Sequence, residues 1–98
     1  MEALIEVPSY KDAYKLLGDL YMGSYEDCKK GQSRVKDRLV FIAAHRMYTR
    51  GAHKTKAQQA KAQFPSAEEI FTENYEIGQQ LKVDCWINET VTLAKRNN

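Results

Sequence analysis

A chain of 98 residues with ten aromatic side chains and a net charge of +2 has the material for one domain with a single modest core. Its longest unbroken apolar run, LVFIAA at 39–44, is far below the roughly 20 residues of a membrane span, and MEALIEVPS at 1–9 has two acids and no basic stretch, unlike a secretory signal. A soluble, cytoplasmic protein with no membrane partner is expected, and homo-oligomerisation is the natural way to enlarge so small a core.

ALIEV at 3–7 alternates weakly before Pro8 and reads as a short strand or an ordered tail. Ser9, with Asp12 three residues on, has the form of a capping box, and Tyr10, Ala13, Tyr14, Leu17, Leu20 and Tyr21 follow at helical spacing. That stripe predicts a core face. Gly23-Ser24 interrupts it, and Ser24-x-x-Asp27 opens a short second turn before Gly31. Ser33 is the next cap. The following RVKDRLVFIAAHRMYTR predicts one helix ending at Gly51 as a left-handed C-cap, apolar over most of its circumference and therefore central in a bundle. Its polar stripe gathers Arg34, Arg38, His45 and Thr49 within about 60°.

TKAQQAKAQF at 55–64 predicts a helix capped by Thr55, with a thin apolar face of Ala57, Ala60 and Phe64. Pro65 ends it. Ser66-x-x-Glu69 is a better capping box, and Ile70, Phe71, Tyr75, Gly78 and Leu81 mark an amphipathic helix. Beyond it, Leu81, Val83, Cys85 and Ile87 alternate with Lys82, Asp84 and Trp86, and Val91 and Leu93 resume the pattern after Asn88-Glu89. Period two favours a strand pair, although Asn-Glu is a poor two-residue turn and a continued helix is the alternative. The expected class is mainly α, a small bundle of four or so helices, or α+β if the C-terminal stretch forms a short hairpin that ALIEV could join.

Cys28 and Cys85, 57 positions apart, fit neither a zinc ribbon nor a close redox pair. Reduced, they are ordinary small, partly buried side chains, and Lys29 and Lys30 would lower the Cys28 pKa if the fold holds them close to it. An oxidising compartment would let them bridge.

Charge is segregated along the chain. Residues 1–28 hold two lysines against six acids, a net of −4; residues 29–64 hold ten bases and only Asp37, a net of +9; residues 65–98 hold three bases against six acids, a net of −3. RMYTRGAHKTKAQQAKAQF at 46–64 contains five bases and no acid. Either the acidic ends fold back onto this block, or it meets an anionic partner.

Nucleic acid is the first such partner. Lys54, Lys56 and Lys61 suit phosphate contacts, Arg46 and Arg50 share a helical face, Gln58 with Gln59 and Gln63 adds hydrogen bonds, and Tyr48 offers a ring for base stacking, although a buried core tyrosine is the favoured reading of it. Arg34 and Arg38 extend the face. A helix-turn-helix over 34–80 fits poorly, because its second helix would begin with Glu68 and Glu69. The alternative is an inhibitor, immunity or adaptor module that binds an acidic protein surface, where arginine and tyrosine are effective anchors. Catalysis is not expected: His45 and His53 lack carboxylate neighbours in sequence, and no nucleophile elbow, phosphate loop or metal-ligand spacing occurs. No cofactor or metal is called for. The helical run of Glu68, Glu69, Glu73 and Glu76 reads as a solvated face.

Overall fold

The computed structural model describes residues 2–83 and 85–96, with side chains from residue 11 onward. Helix α4 (Leu39–Arg50) organises it. Leu39, Val40, Phe41, Ile42, Ala43, Ala44, Met47 and Tyr48 are all buried, so α4 needs cover on nearly every side. Helix α1 (Glu2–Gly23) and helix α5 (Lys54–Lys61) pack against it, and so does an antiparallel hairpin of β1 (Gln80–Val83) and β2 (Glu89–Thr92). Three one- to two-turn helices complete the described chain: α2 (Tyr25–Cys28), α3 (Arg34–Asp37) and α6 (Ala67–Thr72). The class is mainly α with a small C-terminal hairpin, as the sequence predicts.

Each covering element presents small or apolar groups to α4. From α1, Tyr14, Leu17 and buried Tyr21 contribute, and Gly18 lets the Tyr48 ring approach so closely that a β-carbon there would stand 2.5 Å from Cε1. From α5 come Ala57 and Ala60, followed by Phe64. The hairpin supplies Val83, Ile87, Val91 and Leu93, each buried. Val91 and Leu93 are one period-two face, and Thr90 and Thr92 are the exposed one.

Several boundaries differ from the expectation. Residues 3–7 are helical, and α1 runs through Pro8 with no start at Ser9. Proline removes one main-chain hydrogen bond, which a helix anchored over its later turns tolerates. Of the expected stripe, Ala13 is exposed and Leu20 is 48% exposed, and the Tyr10 side chain lies outside the described residues. Ser24 caps nothing: its hydroxyl donates to the Leu20 carbonyl at 2.7 Å and accepts from Trp86 Nε1 at 2.9 Å. The long central helix is broken at Arg38, whose φ of −91° and ψ of 1° separate α3 from α4. The arginine–histidine stripe is therefore not one continuous helical face. Gly51 has φ −88°, and the left-handed residue is Ala52 at 61°. Gly51 is needed for approach instead, since a β-carbon there would stand 2.9 Å from Tyr14 Cβ.

Ser33 caps α3 as expected, accepting from the Lys36 amide at 3.0 Å. His53, not Thr55, precedes α5. The capping box of α6 is present, with Ser66 and Glu69 exchanging two 3.0 Å bonds. Its helix stops at Thr72, however, because Asn74 and Gly78 take positive φ, and Leu81 belongs to β1. Phe71 is left 83% exposed. The hairpin turn is longer than Asn88-Glu89, with Cys85 and Asn88 at positive φ; Asp84 lies outside the described residues.

Cys28 and Cys85 are joined by a disulfide that ties the end of α2 to this turn. The bond closes a long loop, joining positions 57 apart in the chain. Replacing both cysteines in Cys28→Ser/Cys85→Ser is expected to lower stability by roughly 2–4 kcal/mol. Urea unfolding of the wild type with and without reductant measures the same quantity, and an unchanged midpoint would show that the bond does not form.

Candidate functional site

The five carboxylates Asp19, Asp37, Glu69, Glu73 and Glu89 are all engaged within the fold. Asp19 on α1 accepts a short hydrogen bond from the Tyr48 hydroxyl and lies 3.6 Å from Lys56 Nζ. The Tyr48 bond, helped by Lys15 and Lys56, holds this carboxyl below its ordinary value against the opposing effect of burial. Asp37 accepts from the Lys30 and Gly31 amides, each at 2.9 Å. Glu73 accepts from Ser33 Oγ at 2.5 Å and the Arg34 amide at 3.0 Å, supplying the start of α3 from the end of α6. Glu69 is held low chiefly by the Ser66 amide, with Arg38, Arg96 and Arg34 adding to it. Glu89 accepts from the Tyr21 hydroxyl at 2.8 Å and from Arg46 at 3.5 Å. Burial and this carboxylate push the Tyr21 phenol up to about 12. Glu69 and Glu73 are thus structural, not a solvated face.

These contacts sort the expected site residues into two groups. Arg34 faces Glu69 at 3.6 Å. Arg38 donates to the Gln63 carbonyl at 2.9 Å and lies over the Tyr25 ring. Arg46 donates to the Thr90 carbonyl at 2.9 Å besides meeting Glu89. Lys56 is held by Asp19. Tyr48 is 3% exposed, so base stacking through it is excluded: the ring fills the space above Gly18 and its hydroxyl is committed to Asp19. Among the described residues, Arg50, Lys54, Gln58 and Lys61 make no side-chain hydrogen bond or ion pair. Lys54, Gln58 and Lys61 recur at i, i+4 and i+7 on α5, in a stripe that flanks the buried face of Ala57 and Ala60, with Lys54 and Gln58 exposed and Lys61 half-buried.

Arg46, Arg50 and Lys61 come together around one groove between α4, the end of α5 and β2. Its floor is apolar, made by Ile42, Phe64 and Ala94, and His45, Thr49 and Thr92 complete the lining. His45 packs edge-on against Phe64, with ring centroids 5.4 Å apart. Burial, then the Lys61 charge, holds this imidazole below its ordinary value of 6.5. Sequence reasoning missed Ile42, Phe64, Thr92 and Ala94 as site members. The acid-free composition of 46–64 marked the rim, but the floor and the strand wall arise only from tertiary packing.

A smaller cavity of about 100 Å³ lies beside the disulfide, with Lys36 and Lys82 in its lining together with Asp37. Among the described residues, no group of three His, Cys, Asp or Glu side chains could hold a metal ion, and no helix is long and apolar enough to cross a membrane. His53 lies at the start of α5 with its Nε2 at 2.9 Å from the Lys11 carbonyl oxygen. Comparison with protein-family models, curated proteins and solved structures finds no match.

The division between tied and unengaged cations has a direct consequence. Arg46→Ala removes a charged donor from the Thr90 carbonyl and is expected to cost about 1 kcal/mol of stability. Arg50→Ala and Lys54→Ala are expected to stay within about 0.5 kcal/mol of wild type. Chemical denaturation of the three variants reads this directly.

His45 adds a pH term. Its folded pKa is depressed, so between that value and 6.5 the unfolded chain binds more protons, and stability falls as pH drops through this window. His45→Gln is expected to flatten the decline between about pH 6.5 and 5, where ordinary carboxylates titrate little.

Proposed function

We propose that this chain is a small non-enzymatic binding protein that receives an acidic segment of another protein in the groove between α4, α5 and β2. The carrying observation is the pairing of an apolar floor, Ile42 and Phe64, with a rim that includes Arg50 and Lys61, neither of which is engaged by a carboxylate of its own chain. An apolar residue and a carboxylate on one partner would be recognised together, which a phosphate backbone does not need. The Cys28–Cys85 bond supports an oxidising compartment over the cytoplasmic one, and there too a protein partner is favoured over nucleic acid.

Nucleic acid is the second reading, supported by one feature: Arg50, Lys54 and Gln58 are exposed and Lys61 half-buried, a run of cations and an amide that could follow a phosphate backbone. Arg34, Arg38, Arg46 and Lys56 add less than their number suggests, since each is already held internally.

Fluorescence anisotropy with labelled poly-glutamate and with mixed-sequence DNA and RNA, at about 50 and 200 mM salt, separates the readings. Poly-glutamate is expected to bind at low salt and to lose most of its affinity to Arg50→Glu/Lys61→Glu, a variant that leaves the internal ion pairs intact. Preferential binding of DNA or RNA with a steep salt dependence would move the function to the α5 stripe. Failure of folded wild type to bind any of the three at low salt would reject an anion-binding role.

A further inference from the structure

The groove's third wall is the edge of a β-sheet. The hairpin has only two strands, with Gln80 opposite Thr92, Leu81 opposite Val91, Lys82 opposite Thr90 and Val83 opposite Glu89. Leu93 donates to the Gln79 carbonyl at 2.8 Å and accepts from the Gly78 amide at 2.8 Å, so it faces β1 through its main chain. Antiparallel pairing alternates: Val91 and Glu89 face β1 in the same way, and the N–H and C=O groups of Thr90 and Thr92 turn outward.

The outward edge has two different parts. At Thr90 the carbonyl is taken by Arg46 Nη2, at 2.9 Å. A cation laid across a strand edge discourages unlimited pairing with other strands. At Thr92, which lines the groove, no such guard is present among the described residues. An extended chain entering there would find a donor and an acceptor on its strand side. On its helix side it would meet Ile42 and Phe64, then Arg50 and Lys61.

We infer that the groove binds an extended peptide segment by strand addition to the Thr92 edge of β2, with an inward apolar residue flanked by inward carboxylates. This rests on the proposed binding function and names the form in which the acidic partner is taken. Main-chain bonds to Thr92 supply affinity without side-chain preference. Side chains at every second position then select sequence: the apolar one lies over the floor that Ile42, Phe64 and Ala94 line, and carboxylates on either side reach Arg50 and Lys61. Thr92 is positioned for this because Val91 and Leu93, on either side of it, are buried against α4 and fix the strand.

The test uses a labelled peptide, Ser-Glu-Thr-Val-Thr-Glu-Ser, and two N-methylated versions. One carries N-methyl groups on the Glu and Val amides, the other on the Thr amides. Along an added strand the two sets of amides point in opposite directions, so only one set meets β2. The proposal expects the parent to bind, one methylated version to lose about tenfold or more in affinity, and the other to bind nearly as the parent does. It also expects slower hydrogen exchange at the Thr92 amide in the complex.

Equal affinity of both methylated versions, or an unchanged Thr92 amide, would overturn strand addition. Binding of poly-glutamate that Arg50→Glu/Lys61→Glu abolishes would in that case leave the broader function standing. No binding of either the peptide or poly-glutamate would remove both.

Discussion

The constraint on which this structure depends is the circumference of α4. A helix with LVFIAA in its first half cannot satisfy itself with one neighbour, since eight of its twelve residues are buried. Helices α1 and α5 and both strands of the hairpin cover it, and α6 packs on α3 instead. Ala43 and Ala44 are fully buried, and their small side chains let neighbours come close. Gly18 admits the Tyr48 ring, and Gly51 admits α1 at Tyr14. A β-hairpin on a helix is an efficient cap for the remaining side, because alternate residues of one short strand deliver Val91 and Leu93 together. Fully burying each such aliphatic side chain contributes about 1.5–3 kcal/mol before the entropy of ordering it is subtracted.

The charge block at 29–64 is resolved by the same geometry. Wrapping α4 brings both acidic ends of the sequence to its sides, where their carboxylates become hydrogen-bond acceptors for particular groups. Glu73 supplies the start of α3 across 38 or more positions, and Glu89 links β2 to Tyr21 of α1 and Arg46 of α4 at once. Such contacts lie at partly exposed positions, so each is worth little as a charge pair. Their effect is orientation: they determine which cations are tied down and which remain. Seen as a linear sequence, the block is a uniform run of positive charge; as a folded surface, its bases are unequal.

How much of this was legible in the sequence follows from the range of each interaction. The α4 core, the Ser33 and Ser66 caps, the Ala57–Ala60–Phe64 face and the hairpin all depend on spacing within a few residues, and the pattern 81, 83 and 91, 93 was visible. Pro8 and Gly51 misled because local rules assign proline and glycine to ends, whereas here the chain continues past one and uses the other for close approach. The break at Arg38 and the end of α6 at Thr72 were hidden for a different reason. Helical periodicity persists in the letters on both sides, and only the backbone shows where it stops. Tyr48 was ambiguous: its place in a basic stretch suits a stacking platform, its place in an apolar helix suits the core, and the close approach to Gly18, 30 positions earlier, goes with the core reading.

The groove is where these two kinds of information meet. Its cations are of the sort that binding can use at small cost, because exposed Arg50 keeps much of its hydration until a partner replaces it. Its floor is rigid, since Ile42 and Phe64 belong to the packed cover of α4. Its strand wall is held at its start, where Arg46 bonds Thr90 and the Cys28–Cys85 bond anchors the preceding turn, and just past its end, where Leu93 exchanges main-chain bonds with Gln79 and Gly78. A two-stranded hairpin alone is marginally stable in water. Fastened to α4 and α2 in this way, its outer edge is held by the fold itself, and the binding function proposed above would lose little energy to ordering it. Under the binding function proposed above, the disulfide would act on recognition through the strand it steadies.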